Sequence, residues 1–147
     1  MAVGRLYMFV LATLAAVPAA LAGAATAPRT WHGHTTQGYA IRALLSPSGS
    51  LVTRLSTQYA LDCSDGSSVV RRLVLSRDAG DTLVVRDGRF TTSGTIASGL
   101  PTKGSGSLTY KVSGRVRASR ITGTLRADYV LDSGVRCTTE LVGYSLR

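Results

Sequence analysis

Apolar and polar residues alternate in short runs along most of this chain, and beyond an apolar opening no stretch holds a sustained helical period. Period-two alternation predicts strands with one buried face. Tyr39, Ile41, Ala43 and Leu45 fall on one face of a first clear example. Leu51, Leu55, Tyr59, Leu61 and Cys63 share a face in the next, with Thr53 and Thr57 in the same register. Further strands are expected over residues 69–76, 83–85, 89–92, 107–117, 120–131 and 135–146. Between them stand Pro47-Ser48-Gly49, Asp65-Gly66, Ala79-Gly80-Asp81, Asp87-Gly88 and Ser133-Gly134, which are turn chemistries. The longest irregular stretch, residues 93–107, carries Gly94, Gly99, Pro101, Gly104 and Gly106 and reads as a mobile connector. Short strands with short connections predict an all-β, antiparallel meander of about eight strands, forming a small barrel or sandwich.

One hairpin can be placed in register from the pattern alone. With Ala118-Ser119 at the turn, Arg117 faces Arg120, Val116 faces Ile121, Gly114 faces Gly123, Val112 faces Leu125, Tyr110 faces Ala127 and Leu108 faces Tyr129. The apolar residues then share one side, an agreement that a one-residue slip would destroy. The opposing glycines permit a bend or a close packing contact. The other side gathers Lys111, Ser113, Arg115, Arg117, Arg120, Thr122, Thr124 and Arg126, with Asp128 its lone acid. Like charges opposed on a sheet are mildly destabilising, so Lys111 against Arg126 and Arg117 against Arg120 mark a candidate binding face for an anionic partner.

Composition extends this picture. The formal net charge is +9, and removing Arg5 with a leader leaves eight excess positive charges. That balance favours anionic partners, here an anionic envelope polymer or an acidic protein surface. Nucleic acid is not expected, because sheets that bind it present stacking aromatics and Tyr110 and Tyr129 fall on the apolar side. Arg5 followed by the apolar run from Leu6 to Ala22 and the small residues Ala20-Leu21-Ala22-Gly23-Ala24 has the form of a cleavable export signal. Residues 1–24 are therefore expected to leave a single secreted, extracellular domain of residues 25–147, with no stable membrane span after processing. In an oxidising compartment the isolated pair Cys63 and Cys137 is expected to be a disulfide, with alpha carbons roughly 4.4–6.8 Å apart.

Catalytic chemistry is sparse. His32 and His34 lie on one side of a strand beside Trp31, but no third metal ligand can be nominated, and no metal or cofactor is expected. Nor does either imidazole have a nameable partner for general-base work. No Gly-x-Ser-x-Gly elbow occurs, and Lys103-Gly104-Ser105 lacks the leading glycine spacing of a phosphate loop. Asp62 with Asp65, and Asp78 with Asp81, are explained as local turn residues.

Trp31-x-Gly33-x-Thr35-x-x-Gly38, Cys63-x-x-Gly66, Gly88-Arg89-Phe90, Val112-Ser113-Gly114, Ile121-x-Gly123-Thr124-Leu125 and Cys137-x-Thr139 together resemble a group of small secreted actinobacterial proteins. The resemblance implies export, a β-rich domain and pairing of Cys63 with Cys137, and transfers no catalytic residue. The opening Trp31, Gly33 and alternating strand are also similar to avidin-type barrels, whose ligand-contacting residues find no match. Three function classes stay open at this point: a non-enzymatic extracellular binding module using the basic face, a small ligand-carrying barrel or hydrolase-like enzyme whose site assembles from distant residues, and a structural secreted protein. A histidine and a carboxylate in one pocket would favour the enzyme or carrier, whereas a solid core with a flat cationic face would favour the binding module.

Overall fold

Period-two burial runs through nearly every strand of the computed structural model, which describes residues 27–147 apart from 82, 101 and 102. The expected export signal lies outside the described residues. The elements are β1 (Arg29–Thr35), β2 (Ala40–Leu45), β3 (Val52–Cys63), β4 (Ser68–Ser76), β5 (Arg89–Leu100), β6 (Gly104–Arg117), β7 (Arg120–Leu131), β8 (Arg136–Thr138) and β9 (Val142–Leu146), with a single 3-10 turn at Arg77–Ala79. Every pairing among them is antiparallel. Among the described residues no helix is long and apolar enough to cross a membrane.

Six strands close into a barrel in the order β3-β2-β1-β9-β7-β8 and back to β3. β4 extends the wall beyond β3, and β6 then β5 extend it beyond β7. The ring closes through β8, which pairs with β3 on one edge and with β7 on the other. Cys63 and Cys137 face each other across β3 and β8 and are bonded, with an S–S length of 2.04 Å. Their alpha carbons are 3.8 Å apart, below the range expected from the sequence, because the pair is directly opposed on neighbouring strands. The bond spans a sequence separation of 74 residues.

The barrel interior is filled by side chains, among which Tyr59, Tyr129, Leu55, Leu61, Ile121, Leu125 and Leu146 are the largest that are fully buried. Two glycines make room for one of the aromatics. A Cβ on Gly123 would lie 2.3 Å from the Tyr144 hydroxyl oxygen and 2.1 Å from the Ser113 carbonyl oxygen, and one on Gly114 would lie 2.3 Å from the Phe90 ring. The opposed glycines of the hairpin therefore serve close packing. Tyr144 crosses them and donates its hydroxyl to the Ser113 carbonyl at 2.8 Å, tying β9 to β6 across β7. Burial pushes that hydroxyl's pKa up, so it stays a donor.

β4 and β5 approach each other without a ladder between them. Arg71 on β4 donates to the Ser98 hydroxyl on β5 at 3.1 Å, and the Tyr129 hydroxyl donates to the Ser98 carbonyl. At one end of this seam Lys103 bonds Asp65, and at the other Val52 donates to the Leu83 carbonyl at 3.0 Å. Tyr59 stands behind it with a buried hydroxyl that has no partner; desolvation pushes its pKa up, and the Arg71 charge opposes part of that shift.

Three expectations need correction. Residues 93–107 are mostly strand: β5 runs to Leu100, β6 begins at Gly104, and the Lys103 amide donates to the Leu100 carbonyl at 3.0 Å. Their glycines are sites of close approach: a Cβ on Gly94 would meet the Tyr110 hydroxyl oxygen at 2.7 Å, and one on Gly106 the Val130 carbonyl oxygen at 2.4 Å. Residues 83–85 form no strand and contribute only an isolated bridge, Leu51 to Val84. The last expected strand is broken in two, since Thr139 leaves the extended run and its hydroxyl accepts from the Ala127 amide at 2.9 Å.

Gly123→Ala is expected to lose about 1–3 kcal/mol of stability by overpacking against Tyr144, read as a lowered denaturation midpoint. Replacing Cys63 and Cys137 together by Ser is expected to remove about 4 kcal/mol in the chain-entropy account, read by urea unfolding.

Candidate functional site

The register of β6 and β7 decides which side chains can meet a partner. Arg117 pairs with Arg120, Val116 with Ile121, Gly114 with Gly123, Val112 with Leu125, Tyr110 with Ala127 and Leu108 with Tyr129, as the pattern predicts. Val112, Ile121, Leu125, Ala127 and Tyr129 are buried. Lys111, Arg117, Arg120 and Arg126 are exposed on the opposite face, and Arg115 is half-buried there. Arg126 donates to Asp128 at 3.2 Å, the one ion pair on this face among the described residues. Between the cations runs a hydroxyl row, with Ser113 and Thr124 hydrogen bonded at 2.9 Å.

The strand expected over residues 89–92 is longer than the pattern indicates, and its partner is now visible. β5 pairs along its full length with β6, so Arg89 stands directly opposite Arg115 and Thr91 opposite Ser113. Arg86 pairs back onto Arg89 through the turn at Asp87 and Gly88, where Asp87 takes a φ of 50°. Arg86, Arg89, Arg115 and Arg117 border one hollow of about 430 Å³. A shallow second hollow of about 300 Å³ lies over Gly114 and Gly123, edged by Arg89, Arg115, Thr91 and Thr124. The long flanking arginines and the shorter hydroxyl side chains between them rim this depression on the outer face. The signal for Arg89 was present in Gly88-Arg89-Phe90, but its pairing became visible only with the full length of β5.

The histidines sit elsewhere. His32 and His34 face outward from β1 and border a groove of about 500 Å³ with Arg42, Ser56, Gln58 and Arg72. No carboxylate lines that groove. Among the described residues no three His, Cys, Asp or Glu side chains come together as a metal-holding group.

The aspartates act largely as the turn chemistry predicts. Asp62 accepts from the Ser68 hydroxyl at 2.6 Å, and Asp65 accepts from the Ser67 amide at 3.1 Å. Asp81 accepts from the Ser76 amide at 3.0 Å and does more, since it also accepts the Tyr110 hydroxyl at 3.0 Å. Burial, and then that hydrogen bond, push the Tyr110 pKa up. Hydrogen bonds from Lys103 and Ser67 hold the Asp65 carboxyl well below the usual carboxylate range.

Compared with models of known families, with curated proteins and with solved structures, the chain finds no match. The likeness to small secreted actinobacterial proteins thus rests on the short motifs alone.

The lowered Asp65 pKa gives a pH signature. A carboxyl depressed on folding stabilises above its unfolded pKa, near 4, and loses that contribution as pH falls towards the folded value. Asp65→Asn is therefore expected to lower the melting temperature slightly at neutral pH and to match the parent in strong acid, as measured by thermal unfolding across pH.

Proposed function

We propose that this protein is a non-enzymatic binding module of the extracellular space that holds an anionic envelope polymer or an acidic protein surface against the outer face of β5, β6 and β7. The observation that carries the reading is a set of like-charge cross-strand pairs, Arg89 with Arg115, Lys111 with Arg126 and Arg117 with Arg120, on one outer wall. Each such pair costs the sheet a few tenths of a kcal/mol, about 0.2–1. A bound polyanion offsets that repulsion and gains charge-assisted hydrogen bonds from the guanidinium groups. The packed interior weighs against a barrel that carries its ligand inside, and the lack of a carboxylate beside the histidines weighs against the hydrolase-like enzyme. The disulfide suits an oxidising compartment. No aromatic side chain on this face offers a stacking platform, since Tyr110 and Tyr129 are 5% and 0% exposed.

Replacing Arg115, Arg117 and Arg120 together by Ser is expected to leave the fold intact, since their side chains lie on the side of the sheet away from the core. The same variant is expected to elute from a sulfated-polysaccharide column at clearly lower salt than the parent. Screening at high salt should abolish the difference. A control lacking Arg77 and Arg147 should shift less for each charge removed. Equal retention of the triple variant and the parent would remove this face as the binding surface.

A further inference from the structure

The outer wall of β1–β4 carries a second concentration of cations, separated from the β5–β7 face by β9. Cross-strand pairing sets His32 opposite Arg42 and Arg42 opposite Ser56, while Arg72 stands opposite Gln58. Arg54 follows one row along β3, opposite Leu44. Long side chains therefore surround two short ones, Ala40 and Ser56, and the hollow of about 500 Å³ lies over them. It continues into a second lobe of about 330 Å³ lined by Arg42, Arg54 and Arg72. The floor is fixed from below, because the buried Thr57 hydroxyl donates to the Ala40 carbonyl at 3.1 Å.

Charge and shape together define what fits. The two ion pairs among the described residues are Lys103 with Asp65 and Arg126 with Asp128, so none of the groove's guanidinium groups has an ion-pair partner there. The acid that follows on the outer face of β3, Asp62, lies beyond Gln58 and is already bonded to Ser68 at 2.6 Å. The rim therefore offers guanidinium forks, imidazole N–H groups, the Ser56 hydroxyl and the Gln58 amide, a set dominated by donors. Guanidinium forks suit oxyanions that accept two parallel hydrogen bonds. The volume exceeds what a bare phosphate needs and falls within the range of small-molecule sites. Ala40 and Ser56, whose short side chains face outward here, leave room on the floor for a carbon skeleton.

We propose that this groove is a binding site for a small phosphate ester, with Arg42 and Arg72 holding the phosphoryl oxygens and the organic part lying over Ala40. The site is independent of the polymer-binding reading of the other wall, and either can fail alone. Ala40→Leu is the sharpest variant, because it fills the hollow while keeping every charge.

The test is a titration of the protein with glucose 6-phosphate, followed by backbone amide NMR shifts, with glucose as the neutral control. The expected result is saturable movement of the Ala40, Arg42, Ser56, Gln58 and Arg72 amides with glucose 6-phosphate and none with glucose. Arg42→Ser and Ala40→Leu should each weaken binding by about tenfold or more, the loss of a charge-assisted contact or of the space itself. The Arg115, Arg117 and Arg120 triple variant should bind as the parent does. A parallel titration with glycerol 3-phosphate and with its phosphodiester-linked oligomer separates a free ester from one carried on a polymer. Absence of saturable shifts with all of these phosphate probes would overturn the site. So would shifts confined to β5–β7, or binding unchanged by Ala40→Leu with the fold verified by circular dichroism.

Discussion

Closure through β8 is the constraint on which the rest of this structure depends. Its three residues satisfy backbone groups on both β3 and β7, and Cys137 fixes them to Cys63 covalently. Without that splice the only strand ladders joining β3 to β7 would run over β2, β1 and β9. The aromatic core needs the curvature that the splice imposes. Tyr129 lies on the same β7 segment that pairs with β8, and Tyr59 lies two turns of the pleat before Cys63 on β3. Both side chains are sealed from water, with exposures of 0% and 1%. A domain of this size has few kcal/mol in hand, so one cross-link and one short strand account for a large share of its margin.

The seam between β4 and β5 is the complementary weak place. Ladder hydrogen bonds are replaced there by side-chain bridges from Arg71 and Lys103. These bridges cost less to break than a buried ladder, because the freed groups near the surface can turn to water. The outward faces of the walls on either side are free of the core's demands, and it is there that the cations accumulate. β9 holds the two charged walls apart, paired to β7 on one edge and to β1 on the other.

What could be read from the sequence was whatever depended on neighbours in the chain. The β6–β7 register was legible because a tight turn and strict alternation fix it together, down to Gly114 opposite Gly123. The purpose of those glycines was not, since the side chain they accommodate, Tyr144, comes from β9. The strand character of residues 93–100 was hidden for the same reason: Gly94 reads as flexibility until Tyr110 is seen packed against it. Most of the basic face was legible in Lys111, Arg115, Arg117, Arg120 and Arg126, while Arg89 required knowledge of which strand lies beside β6. The groove over Ala40 was not legible at all. It draws on the outer residues of four strands, and no periodicity within any one of them reports that they form a concavity.

The pairing of β1 with β9 sets the timing of folding on the ribosome. Gly33, His34 and Thr35 meet Leu146, Ser145 and Tyr144, partners more than a hundred residues away in the chain. A nascent chain can form the β1–β4 meander early, because those contacts are local, yet it keeps one edge of β1 open until residues 142–146 have emerged. Cys137 likewise appears late, after most of the interior has been synthesised. The barrel therefore closes only once residues 142–146 are available, and the β1–β4 meander with one open edge is the form that precedes closure.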